Sequence, residues 1–144
     1  MVPGDDEIAE LLTNARTIAM VGASDRPDRP SNGVMKFLQG RGYRVLPVNP
    51  TITGERIHGE YVWRDLHQIG EPIDIVDIFR KSEAAGEAVD QAIAVGAKAV
   101  WMQLGVINRE AAERAQAAGL KVVMNRCPKI EIARLGLAPV GAGG

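Results

Sequence analysis

Between a strand-like run ending at Val21 and a helix-like run through Leu38 lie one early glycine and two arginine-proline steps, "VGASDRPDRPSNGVMKFL". Gly22 permits a tight backbone turn, and a helix opening at Ser31 would direct free N–H groups and a partial positive charge toward any bound anion. Arg26 and Arg29 add forked donors that match phosphate oxygens. The chemistry this predicts is the holding of phosphate. The alternative is a plain strand-to-helix turn with two solvated arginines. A nicotinamide site fits poorly. The pattern G-x-G-x-x-G is missing, because Ala23 and Ser24 follow Gly22. The second strand ends in the uncharged "PVNP" of Pro47 to Pro50, where a ribose-binding carboxylate belongs.

No set of residues points to bond-making. His58 and His67 fall in an irregular stretch away from any strand end, and one cysteine with two isolated histidines offers no metal-ligand spacing. Asp74 and Asp77 are three apart on one strand, so they point to opposite faces and form no acid-base pair. Trp63 and Trp101 sit in apolar runs and read as packing. The expectation is no catalytic residue and no metal. The 17 basic and 18 acidic residues leave a formal charge of -1, which supplies no field for nucleic acid or an acidic membrane. A single cysteine, Cys127, and the shortness of every apolar run predict a cytoplasmic protein of one domain, spanning residues 1–135.

The elements that position these residues follow a repeated grammar. Helix-like stretches end in a glycine that feeds a short apolar run: "GYRVLPV" from Gly42, "GAKAVWM" from Gly96 and "GLKVVMN" from Gly119. With "TIAMV" from Thr17 and "IDIVDIF" from Ile73, five strands result. Helices are expected near residues 8–15, after Ser31 as cap, after Ser82 and after Asn108, with a short one between Asp65 and Ile69 in a loose crossover. Alternating strands and helices predict an α/β fold: a Rossmann-like three-layer sandwich with a five-stranded parallel sheet, order 3-2-1-4-5, and helices on both faces. The glycine-rich tail, residues 136–144, is expected to be flexible. A ligand would then lie beyond the C-terminal strand ends, at a switch point between the strands ending at Val21 and Met102. The residues there are Gly22, Ala23, Ser24, Asp25 and Arg26; Asn49 and Pro50; Arg80 and Lys81; Gln103, Leu104 and Gly105; and Asn125, Arg126 and Cys127.

"VGAS" with "RPS", "GYRVLPVNP", "DIVDIFR", "KAVWMQLGV" and "GLKVVMNRCPKIE" occur in one order, and together they resemble the small stand-alone coenzyme A-binding proteins. Their Rossmann-like domain is similar to the CoA-binding domain of the succinyl-CoA synthetase alpha subunit. The resemblance runs from about Thr17 to Leu135. It implies CoA or acyl-CoA across the C-terminal strand edge. Gly22, Ala23 and Ser24 would approach the phosphates, with Arg26 and Arg29 at the anionic end. Val48, Asn49 and Pro50 would border the adenosine. Phe79, Arg80, Gln103, Leu104 and Gly105 would line the pyrophosphate and pantetheine path, with Asn125, Arg126 and Cys127 beyond them. Cys127 reads either as a small buried apolar residue or as a thiol meeting the CoA thiol. The chain lacks the synthetases' histidine and nucleotide domains, so the implied protein is non-catalytic. Alternatives are an NAD(P)-dependent oxidoreductase with an atypical loop, or the CoA-binding subunit of a separately encoded acyl-CoA ligase. A protein partner or homo-oligomer stays open.

Overall fold

The computed structural model describes residues 3–52 and 56–141. Helix α1 (Asp5–Asn14) leads into β1 (Thr17–Val21), and α2 (Pro30–Gly40) connects β1 to β2 (Arg44–Val48). The crossover that follows holds a small antiparallel hairpin, β3 (Arg56–Ile57) with β4 (Glu60–Tyr61), and a 3-10 turn at Leu66–Gln68. Then come β5 (Ile75–Ile78), a 3-10 turn at Ser82–Ala84, α3 (Ala85–Ala94) and β6 (Ala99–Met102). The chain continues through α4 (Arg109–Ala117), β7 (Lys121–Met124) and α5 (Pro128–Leu135).

All five expected strands join one parallel sheet, and it is covered on both faces. Side chains alternate across each strand. Ala19, Val76, Val100 and Val122 therefore meet the alanine-rich faces of α3 and α4, while Ile18, Met20, Ile75 and Trp101 meet α1, α2 and α5. Burial on both sides explains why the strands read as unbroken apolar runs.

The strand order differs from the expected 3-2-1-4-5. It is β2-β1-β5-β6-β7, so the third long strand lies against β1 and leaves β2 at the edge. Pro47 gives the physical reason. Arg44 donates its N–H to Arg16 O at 2.8 Å, so the even-numbered amides of β2 face β1 and position 47 faces outward. A proline there has no donor for a further strand, which confines β2 to the edge. Only a short stretch covers that side: Trp63 N–H donates to Pro47 O at 2.9 Å, and Asn49 N–H to Trp63 O at 2.8 Å. The switch point moves accordingly, to the ends of β1 and β5.

Two local expectations also change. Helix α2 begins at Pro30, one residue before the expected cap, because a missing N–H costs nothing at the first helical position. Asn108, by contrast, caps α4 as expected, accepting from Ala111 N–H at 3.0 Å. The tail is partly packed: Val140 is buried and donates its N–H to Arg41 O at 2.8 Å. The close approach at Gly42, where a Cβ would stand 1.8 Å from Val140 O, admits no side chain. Residues 142–144 of the expected flexible tail lie outside the described residues.

Candidate functional site

The C-terminal ends of the five strands form a row about 19 Å long, at roughly 4.8 Å per strand. At its switch point Gly22 has φ +88°, and a Cβ there would lie 2.1 Å from Phe79 O. Phe79 N–H donates to Val21 O at 2.8 Å, and Gly22 N–H to Val48 O at 2.9 Å. The glycine is thus wedged between the ends of β2 and β5, and the following loop is thrown outward over the edge.

That loop is braced from three sides. Ser24 N–H donates to Ser31 Oγ at 3.0 Å, so Ser31 turns back from the first turn of α2 to hold the loop. Asn32 Nδ2 donates to Ser24 O at 3.0 Å, and Asn49 Nδ2 donates to Ala23 O at 2.8 Å. Behind Asn32 stands His58, whose Nε2 lies 3.0 Å from both the carbonyl O and the Oδ1 of Asn32. Both partners are acceptors, so Nε2 carries the proton. His58 occupies the hairpin turn with φ +47°, a left-handed conformation for which histidine is one of the tolerated types. The hairpin thereby reaches across the crossover to support α2.

The outward side of this loop is polar. Asp25, Arg26 and Arg29 are exposed, and Arg26 Nε is 3.5 Å from Asp28 Oδ1 with both side chains mostly in water. Such a pair holds Arg26 weakly and leaves it free to reorient toward an anion. Ala23 and Val48 are buried, whereas Asn49, Pro50, Phe79 and Arg80 reach the surface to different extents. Gly22–Arg29, Val48–Pro50, Phe79 and Arg80 therefore form one contiguous group over β2, β1 and β5, with Lys81 exposed beside it.

A second group stands over β6 and β7. Gly105 N–H donates to Asn125 Oδ1 at 2.7 Å, which ties the two loops together. Ser82 Oγ accepts from Ile107 N–H at 2.9 Å and donates to Gly105 O at 3.2 Å, so the turn after β5 fixes the same loop. Leu104 is exposed and Gln103 buried. Arg126 is turned inward: its Nη1 lies 3.4 Å from Glu131 Oε1, and its carbonyl accepts from Trp101 Nε1 at 2.7 Å. Glu131 is 3% exposed and also meets Arg134 Nη2 at 2.8 Å, an arrangement that anchors α5 rather than the edge. Cys127 is 5% exposed at the start of α5, which places its thiol among apolar neighbours.

Sequence reasoning missed Asn32, His58 and the loop-holding roles of Ser31 and Ser82. The contact between His58 and Asn32 joins residues 26 positions apart, and no local pattern announces it. His67 stays away from the edge, in the wall of a cleft of about 620 Å³ between α3 and α4. A second cleft, of about 570 Å³, lies between α1 and β7 at the opposite end of the strands. Among the described residues no helix is long and apolar enough to cross a membrane, and no cluster of potential metal ligands occurs.

A family model described as "CoA binding domain" matches residues 16–133. The uncharacterized protein YneT of Bacillus subtilis is 40% identical over 128 residues, covering 89% of this chain and 93% of that protein. A hypothetical protein from Pyrococcus horikoshii is 44% identical with a TM-score of 0.88, and the match covers 92% of each chain. The dinucleotide-forming acetyl-coenzyme A synthetase 1 of Ca. Korarchaeum cryptofilum shares the fold at 23% identity and a TM-score of 0.69. That match covers 81% of this chain and 27% of the synthetase.

Proposed function

Because the chain belongs to the CoA-binding domain family, we propose that it is a single-domain, non-catalytic cytoplasmic protein that binds coenzyme A or an acyl-CoA along the C-terminal strand edge. The observation that carries this reading is the braced loop from Gly22 to Arg29 at the switch point, where it opens onto the N-terminus of α2. Open α/β sheets take their ligands at such points. The pyrophosphate would lie against the loop backbone and the helix start, with Arg26 and Arg29 supplying mobile positive charge. Asn49 and Pro50, neutral at the end of β2, would border the adenosine and bring no negative charge of their own against the ribose 3′-phosphate. Phe79, Arg80, Gln103, Leu104 and Gly105 would carry the pantetheine arm toward Asn125, Arg126 and Cys127.

The non-catalytic part of the reading rests on what the edge offers. Its donors and small neutral residues suit the holding of an anion, and His58 already spends its donor on Asn32. Calorimetric titration with CoA, acetyl-CoA, NAD and NADP tests the whole. Saturable heat with CoA or acetyl-CoA and none with the nicotinamide nucleotides is expected. A response to NAD or NADP with none to CoA overturns the proposal in favour of an oxidoreductase.

A further inference from the structure

The two edges of the sheet are finished differently. On β2 the outward position 47 is a proline, and the stretch at Trp63 hydrogen-bonds the groups beside it. The other edge, β7, carries neither device. Lys121 N–H donates to Lys98 O at 3.0 Å, so the odd-numbered peptide groups of β7 face β6 and those of Val122 and Met124 face outward. Among the described residues no hydrogen bond reaches the backbone N–H or C=O of either. These open groups sit on a strand with no proline, no bulge and a single charge, Lys121.

An open edge of this kind pairs with another strand, and native proteins block it where pairing is unwanted. The side chains beside it are apolar: Val122 packs into the layer of α3 and α4, and Val123 into that of α1, α2 and α5. Both also line the cleft of about 570 Å³ between α1 and β7, together with Leu11 and Leu120, so the flank of the strand is open to an incoming group. The rim of that cleft carries both signs, Glu7 and Glu10 from α1 against Lys98 and Lys121 from the strand side, with Lys98 held 3.2 Å from Asp74. A strongly acidic or strongly basic partner meets like charge there. A second copy, with the same mixed rim and a formal charge of -1, meets little repulsion.

We propose that this edge is the seam of a homodimer, in which β7 pairs antiparallel with β7 of a second copy about a two-fold axis at Val123. Val122 then exchanges both backbone hydrogen bonds with Met124 of the second copy, and Met124 with Val122. This register uses every open group of β7 and joins the two sheets into one. The symmetry also closes the assembly. Both remaining edges are β2, where Pro47 offers no donor, so growth stops at two copies. The same pairing sets Lys121 of each copy beside Asn125 of the other, at the C-terminal strand ends. The hydrogen-bonded seam is short, and the apolar walls of the cleft add to the area of about 800 Å² per partner that a stable interface needs. Nothing in the seam depends on which ligand the C-terminal edge binds.

Sedimentation velocity on the full chain tests this, with Met124→Pro, Met124→Ala and, in a Cys127→Ala background, Val123→Cys. Wild type is expected to sediment as a dimer. Met124→Pro puts on β7 the device that β2 already carries and removes one donor from each copy, so the dimer dissociation constant should rise at least about tenfold. Met124→Ala keeps the donor and should stay dimeric. Val123→Cys places two thiols across the axis, where non-hydrogen-bonded neighbours stand about 4.5 Å apart between Cα atoms, and mild oxidation should link the copies. A wild type that stays monomeric at every accessible concentration overturns the proposal. So does a folded Met124→Pro, checked by circular dichroism, that dimerises as tightly as wild type. Should Met124→Pro not fold, the cross-link decides: a dimer that Val123→Cys fails to link is paired through another surface, and the seam is refuted.

Discussion

His58 Nε2 stands 3.0 Å from both acceptor atoms of Asn32, and Asn32 in turn donates to the carbonyl of Ser24. A hairpin outside the main sheet is thus coupled, through one side chain, to the backbone of the loop proposed to receive phosphate.

Replacing His58 by Asn separates the turn from the contact. Asparagine tolerates the left-handed backbone but is too short to reach Asn32. We expect a small loss of stability, about 1 kcal/mol or less, and CoA binding weakened about threefold to tenfold, in line with one lost hydrogen bond. His58→Gln, which restores a donor of similar reach, should recover part of the affinity. Calorimetric titration of both variants checks this, and equal affinity in all three proteins would refute the coupling.

Gly22→Ala should be among the most damaging single substitutions in the chain. A Cβ would meet Phe79 O at 2.1 Å, on a backbone already at φ +88°. Clash and strain together should cost about 3 kcal/mol or more. Gly59→Ala is the control, since Gly59 has a similar φ of +85° and nothing within 4 Å. It should cost only about 1 kcal/mol. Urea midpoints of the two variants give the comparison, and equal losses would show that conformation alone sets the cost at Gly22.

Two aspartates three residues apart predict opposite pH behaviour. For Asp74, burial raises the carboxyl pKa, but N–H groups of Thr17 and Arg16 at 3.0 and 2.8 Å and the Lys98 ammonium at 3.2 Å outweigh it and hold it low. Its stabilisation is present above the unfolded value of about 3.9 and fades as pH falls through the lower folded value. For Asp77, burial alone raises the folded pKa, so stability is greatest below about 3.9 and declines as pH rises toward the folded value. Asp77→Val should therefore be more stable than wild type at pH 7, by about 1–3 kcal/mol, with the gap narrowing on acidification. Asp74→Ala should be less stable at pH 7 by about 1–3 kcal/mol, and its deficit should also shrink in acid. Urea unfolding from pH 3 to 8 distinguishes them by the sign at neutrality.

Cys127, at 5% exposure, should resist a bulky thiol reagent in the folded protein and react fully in denaturant. Mass spectrometry before and after unfolding measures this. Prompt native-state modification by CoA disulfide, with Cys127 as the acceptor, would instead put its thiol within reach of the bound arm.

Much of the fold was legible because it is written locally. Apolar runs marked all five strands, three of them behind a glycine, Asn108 marked the start of α4, and the paired arginines after Gly22 marked the loop now found at the switch point. Even the edge position of β2 had a local sign in Pro47, a residue without the donor that an interior strand needs, although the expected order overlooked it. Pairings between distant segments were not legible. Periodicity assigns a residue to a face and says nothing about which strand lies beside it or which hairpin folds over it. The place of β5 against β1, the reach of His58 to Asn32, the hold of Trp101 Nε1 on the Arg126 carbonyl and the solitude of Asp77 all depend on contacts between segments distant in sequence. The amino-acid order determined the elements and the polar character of the edge. The tertiary structure decided which of those polar groups are braced, which are spent and which are left without a partner, because hydrogen-bond satisfaction belongs to the packed whole.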